Sequence, residues 1–112
     1  MGIHPLTFER LLGELFQSQV YFVSFTPDSG DFGADLIIEK DGIRTAVQAK
    51  RYHGNVGIAA IQEVIGAKRH HQCTKAMVVT NSYFTDAAWK LAMSNYVWLI
   101  HRDRLLEMIK VM

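Results

Sequence analysis

The chain has 112 residues, 49% of them hydrophobic and 21% charged, a composition that gives one compact domain over residues 1–112 and excludes a second independent module. No apolar run approaches the roughly 18 residues of a bilayer span, and the start lacks a basic stretch followed by an apolar core, so a cytoplasmic protein without membrane contact is expected. The net charge of +1 conceals a dipolar chain: residues 1–41 hold seven acids and two bases, residues 42–75 one acid and six bases, and residues 76–112 three acids and four bases.

Leu6, Phe8, Leu11, Leu12, Leu15 and Phe16 recur at helical spacing, which predicts an amphipathic helix over residues 7–17 capped by Thr7. Val20–Phe25 is β-branched and aromatic and reads as a strand, followed by a turn-forming loop from Pro27 to Gly33. Next come two apolar-rich runs joined by Asp41-Gly42, both of which tolerate the positive φ of a type I′ hairpin turn. A second helix spans roughly Gly57–His71, with Ile58, Ile61, Val64 and Ile65 on one side, and Lys75–Thr80 contains a short buried strand. A helix from about Thr85 to Asn95, a strand at Val97–Ile100 and a helix from about Asp103 to Lys110, capped by Asp103, complete the chain. The alternation of strand and helix from residue 75 implies parallel crossovers flanking the hairpin, hence an α/β fold.

The hairpin turn decides which polar groups meet. With Lys40 opposite Ile43, Asp35 lies opposite Gln48 and Gly33 opposite Lys50. The period of two along a strand then adds Lys50 to the face carrying Asp35 and Gln48. An unpaired carboxylate inside the apolar strand Ala34–Ile38 is costly, so Asp35 requires a cation or a donor; a plain ion pair with Lys50 is the alternative to a metal site. Magnesium takes hard oxygen ligands, which Asp35, the Gln48 amide and the Ala49 backbone carbonyl can offer, while Lys50 can orient an attacking water or neutralise developing charge. An acidic pocket beside basic flanks suits a metal-dependent enzyme acting on a polyanion, although such charges can also simply solvate exposed faces.

At these residues the chain resembles the PD-(D/E)xK nuclease superfamily, and specifically its Mrr-like type IV restriction endonuclease branch, in which glutamine holds the second acidic position. The matching segments are Phe8-Glu9, Thr26-Pro27 with Ser29-Gly30-Asp31, Gly33–Leu36, Gln48–Tyr52, Ala60–Val64 and Val79–Ser82. The resemblance implies a restriction-endonuclease-like mixed β-sheet flanked by helices, with core order αβββαβ. It also implies cleavage of DNA with Mg2+, for which Mn2+ substitutes, with Asp35, Gln48 and Lys50 at the centre. Glu9 matches a position that often holds an extra acid reaching the metal directly or through water. Gln62 matches a polar position near the active site in the Mrr-like branch. Family members usually carry a separate domain that recognises modified DNA, and no such segment is found in these residues.

Arg51, Lys68 and Arg69 are candidates for phosphate contacts, and Tyr52 and His53 for substrate-facing loop residues. Glu39 and Arg44 face each other near the turn as a surface pair of little energetic weight. His70, His71 and Cys73 supply three clustered ligand types where structural zinc takes four, so a base-rich helix end is the better reading. The leading function is therefore an endodeoxyribonuclease of the restriction or defence type acting on double-stranded DNA. Cutting both strands calls for two active sites and hence a homodimer. The alternatives are a structure-selective repair or junction-resolving nuclease and a non-cleaving DNA-binding module of the same fold.

Overall fold

The computed structural model describes residues 5–26 and 33–112. The turn loop expected from Pro27, the matching residues Ser29, Gly30 and Asp31, and the side chain of Leu6 lie outside them. In chain order the elements are α1 (Pro5–Ser18), β1 (Phe22–Phe25), β2 (Leu36–Lys40), β3 (Ile43–Lys50), α2 (Ile58–His70), β4 (Lys75–Thr80), α3 (Asp86–Ser94), β5 (Val97–Ile100) and α4 (Arg102–Lys110). The five strands form one sheet in order β1-β2-β3-β4-β5, antiparallel from β1 to β3 and parallel from β3 to β5. This is the mixed αβββαβ core expected from the sequence, extended by α3, β5 and α4.

The parallel half needs crossovers, and α2 and α3 provide them on one face of the sheet. There Ala60, Ile61, Val64 and Ala67 of α2 and Ala88 and Ala92 of α3 pack on Ile37, Ala46, Ala76, Val78 and Val97. On the other face Phe8, Leu12, Leu15 and Phe16 of α1 and Leu105 and Met108 of α4 cover Leu36, Ile38, Val47, Val79 and Ile100. Each of the four α1 side chains is buried, which stabilises the fold by about 1.5–3 kcal/mol apiece. The middle strands β3 and β4 thus have apolar residues on both faces, and a polar side chain within them must find a partner.

Three local expectations are corrected. Thr7 does not cap α1, because the helix already begins at Pro5 and Thr7 lies in its first turn. The strand expected from Val20 begins only at Phe22. The N–H groups of Gln19 and Tyr21 donate to Phe16 O and that of Val20 to Gln17 O, so the orphan carbonyls at the end of α1 hold these residues, with Val20 at a φ of 69°. Asp103 does not cap α4: His101 Nδ1 accepts from the Asp103 backbone N–H at 3.1 Å, and the imidazole takes the capping role. Thr85 caps α3 as expected, accepting from the Ala88 N–H.

The hairpin turn has the predicted geometry, with φ of 54° at Asp41 and 79° at Gly42. The predicted register holds from Lys40↔Ile43 to Leu36↔Val47. It stops there. The Asp35 N–H donates to Val47 O at 2.8 Å, although Val47 already has Leu36 as its registered partner. Two residues of one strand thus meet one of the other, as in a β-bulge, and the expected oppositions of Asp35 with Gln48 and of Gly33 with Lys50 are not in the ladder.

Candidate active site

Since the ladder ends early, the Asp35 side chain takes over where backbone pairing stops. Asp35 Oδ2 accepts from the Ala49 N–H at 2.7 Å, satisfying a strand donor that would otherwise face the vacated end of β2. From the other side, Thr26 at the end of β1 donates its N–H to Asp35 O at 3.0 Å and its hydroxyl to Ala34 O at 2.7 Å. The acid is held at both flanks, and its carboxylate sits beside the residue that separates Gln48 from Lys50.

Gln48 and Lys50 follow Ala46 along the face of β3 that α2 covers. Gln48 is buried at 5% exposure, and its Nε2 donates to Glu63 Oε2 on α2 at 2.7 Å. Lys50 Nζ lies 3.7 Å from the same oxygen. A carboxylate can only accept, so the hydrogen bond to Glu63 settles which end of the Gln48 amide is nitrogen. Gln48 Oε1 then remains buried with no hydrogen-bond partner among the described residues. An unsatisfied buried acceptor is destabilising unless a donor or a cation meets it.

Gly33 explains how the Asp35 segment comes so close to α2. Its φ is +80°, and a Cβ there would stand 2.4 Å from Glu63 O. Only a residue without a side chain lets these two backbones touch.

The structure therefore brings together Asp35, Gln48, Ala49 and Lys50, and adds Glu63. Gln62 is exposed, and its neighbour is the side chain that reaches β3. Sequence reasoning passed over Glu63, although it is the single acid among residues 42–75. Glu9 sits on α1 in the lining of an open cavity of about 520 Å³, with Arg10, Phe25 and the same Thr26 that binds the Asp35 segment. Tyr52 and His53 are exposed and line a second cavity of about 310 Å³ with Asn81, Ser82 and Arg102. The Tyr52 N–H donates to Asn81 Oδ1 at 2.7 Å, and Arg51, half-buried, keeps its Nε without a partner among the described residues. Lys68 and Arg69 lie in the last turn of α2, the end that Arg44 joins to the start of β3 through His71 O, roughly 20 Å along the strand from Lys50 at about 3.3 Å per residue. The Glu39–Arg44 surface pair is present at 3.5 Å.

Among the described residues no group of three or more His, Cys, Asp or Glu side chains is arranged to hold a metal ion. A cation here would rest on mixed oxygen donors, one carboxylate, one amide and one backbone carbonyl, which is a hard-ion set and not a zinc set. No helix among the described residues is long and apolar enough to cross a membrane.

Comparison with known proteins bears on the fold that carries these residues. The AspBHI DNA modification-dependent restriction endonuclease superposes with a TM-score of 0.78 at 21% identity, over 96% of this chain and 31% of that one. The MspJI restriction endonuclease, in complex with a 27-mer oligonucleotide, gives 0.64 at 20% identity, over 90% of this chain and 26% of that one. AF1548, a protein of unknown function, gives 0.72 at 17% identity, over 83% and 55%. At these identities the likeness establishes the restriction-endonuclease-like fold, and this chain spans about a third or less of the two endonucleases. No curated protein matches significantly. The Mrr_cat family, described as restriction endonuclease, matches residues 1–109, and the chain belongs to that family.

Proposed function

We propose that residues 1–112 form one catalytic domain of a divalent-metal-dependent endodeoxyribonuclease of the restriction and defence type. The observation that carries this reading is the buried, unpartnered Gln48 Oε1, one residue along β3 from the Ala49 N–H that binds the Asp35 carboxylate. Asp35, Gln48 Oε1 and the Ala49 carbonyl would hold Mg2+, with Mn2+ as a substitute and Glu9 contributing through water. When bound, such an ion supplies an activated water and charge stabilisation at the phosphoryl group and the leaving oxygen. The Ala49 N–H holds the Asp35 carboxylate in place, so no side-chain search precedes binding. Lys50, a flexible point charge at the edge of the site, orients the attacking water and offsets negative charge as it develops on the phosphate. Arg51, Tyr52 and His53 carry the chain's contact with DNA away from the cut bond, and Gln62 borders the site. Lys68 and Arg69 reach only a more distant part of a duplex.

Family membership supports a nuclease, and the oligonucleotide complex of MspJI supports DNA as the substrate class. Cleavage of both strands calls for two such sites, and a homodimer in the cytoplasm is part of this reading. Purified protein incubated with supercoiled plasmid and Mg2+ or Mn2+ is expected to nick and linearise it, while Asp35→Ala and Lys50→Ala variants leave it intact. Equal nicking by the variants refutes the assignment. Retention of DNA without turnover points instead to a binding module, and preference for branched over linear duplex to a structure-selective nuclease.

A further inference from the structure

Glu63 meets two of the polar side chains that β3 turns toward α2, Gln48 and Lys50. Its Oε2 accepts from Gln48 Nε2 at 2.7 Å and lies 3.7 Å from Lys50 Nζ. The terminal amide torsion of glutamine is broad and roughly twofold, so nothing within Gln48 itself decides which end of the amide faces which way. With a carboxylate on one side the choice is forced, since oxygen facing oxygen would set two acceptors together. We propose that Glu63 is a positioning residue: by accepting from Nε2 it turns Gln48 Oε1 away from α2 and makes it the end of the amide that a cation meets, while holding Lys50 beside it. This inference rests on the metal-dependent reading above and adds to it the group that presents the amide oxygen.

The backbone contact at Gly33 strengthens the argument independently. The 33–35 segment rests on Glu63 O so closely that a Cβ at Gly33 would fall at 2.4 Å. The helix position that orients Gln48 is therefore also the surface against which the segment presenting Asp35 is placed. Glu63 is half-exposed, with 48% of its side chain open, so burial does not force it into this position; its two partners do. Glu63 Oε2 is already shared by Gln48 and Lys50, which fits an orienting role through Gln48.

The test is Mn2+ binding to the folded protein, measured by titration calorimetry without DNA, with each variant first checked for an unchanged circular dichroism spectrum. Glu63→Ala is expected to weaken Mn2+ binding about tenfold or more, the usual cost of losing a group that orients a metal ligand. Glu63→Gln, whose amide oxygen still accepts from Gln48 Nε2, recovers most of that loss. In a Gln48→Ala background, removal of Glu63 changes the affinity by no more than about twofold, because its effect passes through Gln48. An equal loss in both backgrounds would make Glu63 a ligand or a simple charge effect, and no loss in either would make it a surface acid; each result overturns the proposal while leaving the metal reading standing. Absence of Mn2+ binding by the wild-type chain overturns the metal reading and this inference together.

Discussion

Gly33 and Gly42 make a matched pair for testing how the site is assembled. Their φ values are +80° and +79°, so an alanine at either one meets the same left-handed backbone penalty of about 1–2 kcal/mol. Their surroundings differ completely. A Cβ at Gly42 meets nothing within 4 Å, whereas at Gly33 it would stand 2.4 Å from Glu63 O, 2.7 Å from Glu63 C and 2.9 Å from Glu63 Cβ. Relieving that overlap requires the 33–35 segment or α2 to move, which adds about 1–3 kcal/mol. Gly33→Ala is therefore expected to cost about 2–5 kcal/mol and Gly42→Ala about 1–2 kcal/mol. At about 4 °C per kcal/mol for a chain of this length, the midpoint of thermal unfolding falls by roughly 8–20 °C and 4–8 °C respectively. Circular dichroism melts measure both. Mn2+ calorimetry on the same proteins should find binding weakened only in Gly33→Ala, because only that change displaces Asp35 from its place against α2. Equal midpoints for the two variants would refute the close approach at Glu63 and the coupling drawn from it.

Asp35 joins a structural role to its proposed chemical one, and two substitutions separate them. Asp35→Asn keeps an acceptor for the Ala49 N–H and should melt close to the wild type, whereas Asp35→Ala strands that donor at a cost of about 1–3 kcal/mol. Both should lose Mn2+ binding; wild-type affinity in Asp35→Asn would remove the carboxylate from the metal site. Tyr83 also lines the second cavity and provides a check on it. Its hydroxyl donates to Asp103 Oδ1 at 2.7 Å, and that bond, ahead of desolvation, raises its phenol above the ordinary value of 10.0. The bond favours the neutral phenol, so its contribution is fully present at neutral pH and is lost as pH rises through the folded-state pKa. Asp103→Ala should lower the phenolate midpoint in an ultraviolet absorbance titration, and an unchanged midpoint would remove the bond as the cause.

The order of helices and strands was legible in the chain because each element is selected locally. Leu12, Leu15 and Phe16 recur at the period of a helix, Asp41-Gly42 suits one kind of turn, and Ala76–Val79 is apolar enough to lie buried on both faces. Local choice also set the register from Lys40↔Ile43 to Leu36↔Val47, since a two-residue turn leaves little freedom. The sequence likewise placed Asp35, Gln48 and Lys50 at one end of a hairpin. Tertiary structure decided how they meet. The pairing fails at Asp35 because Thr26 and the backbone of α2 draw that segment out of the ladder, and its carboxylate then replaces a strand partner at the Ala49 N–H. Helix phase decided that Glu63 and not Gln62 reaches β3, for successive residues on a helix point about 100° apart and the sequence alone does not rotate α2 against the sheet. Distances between residues far apart in the chain follow from how whole elements pack, and that packing is a property of the complete core.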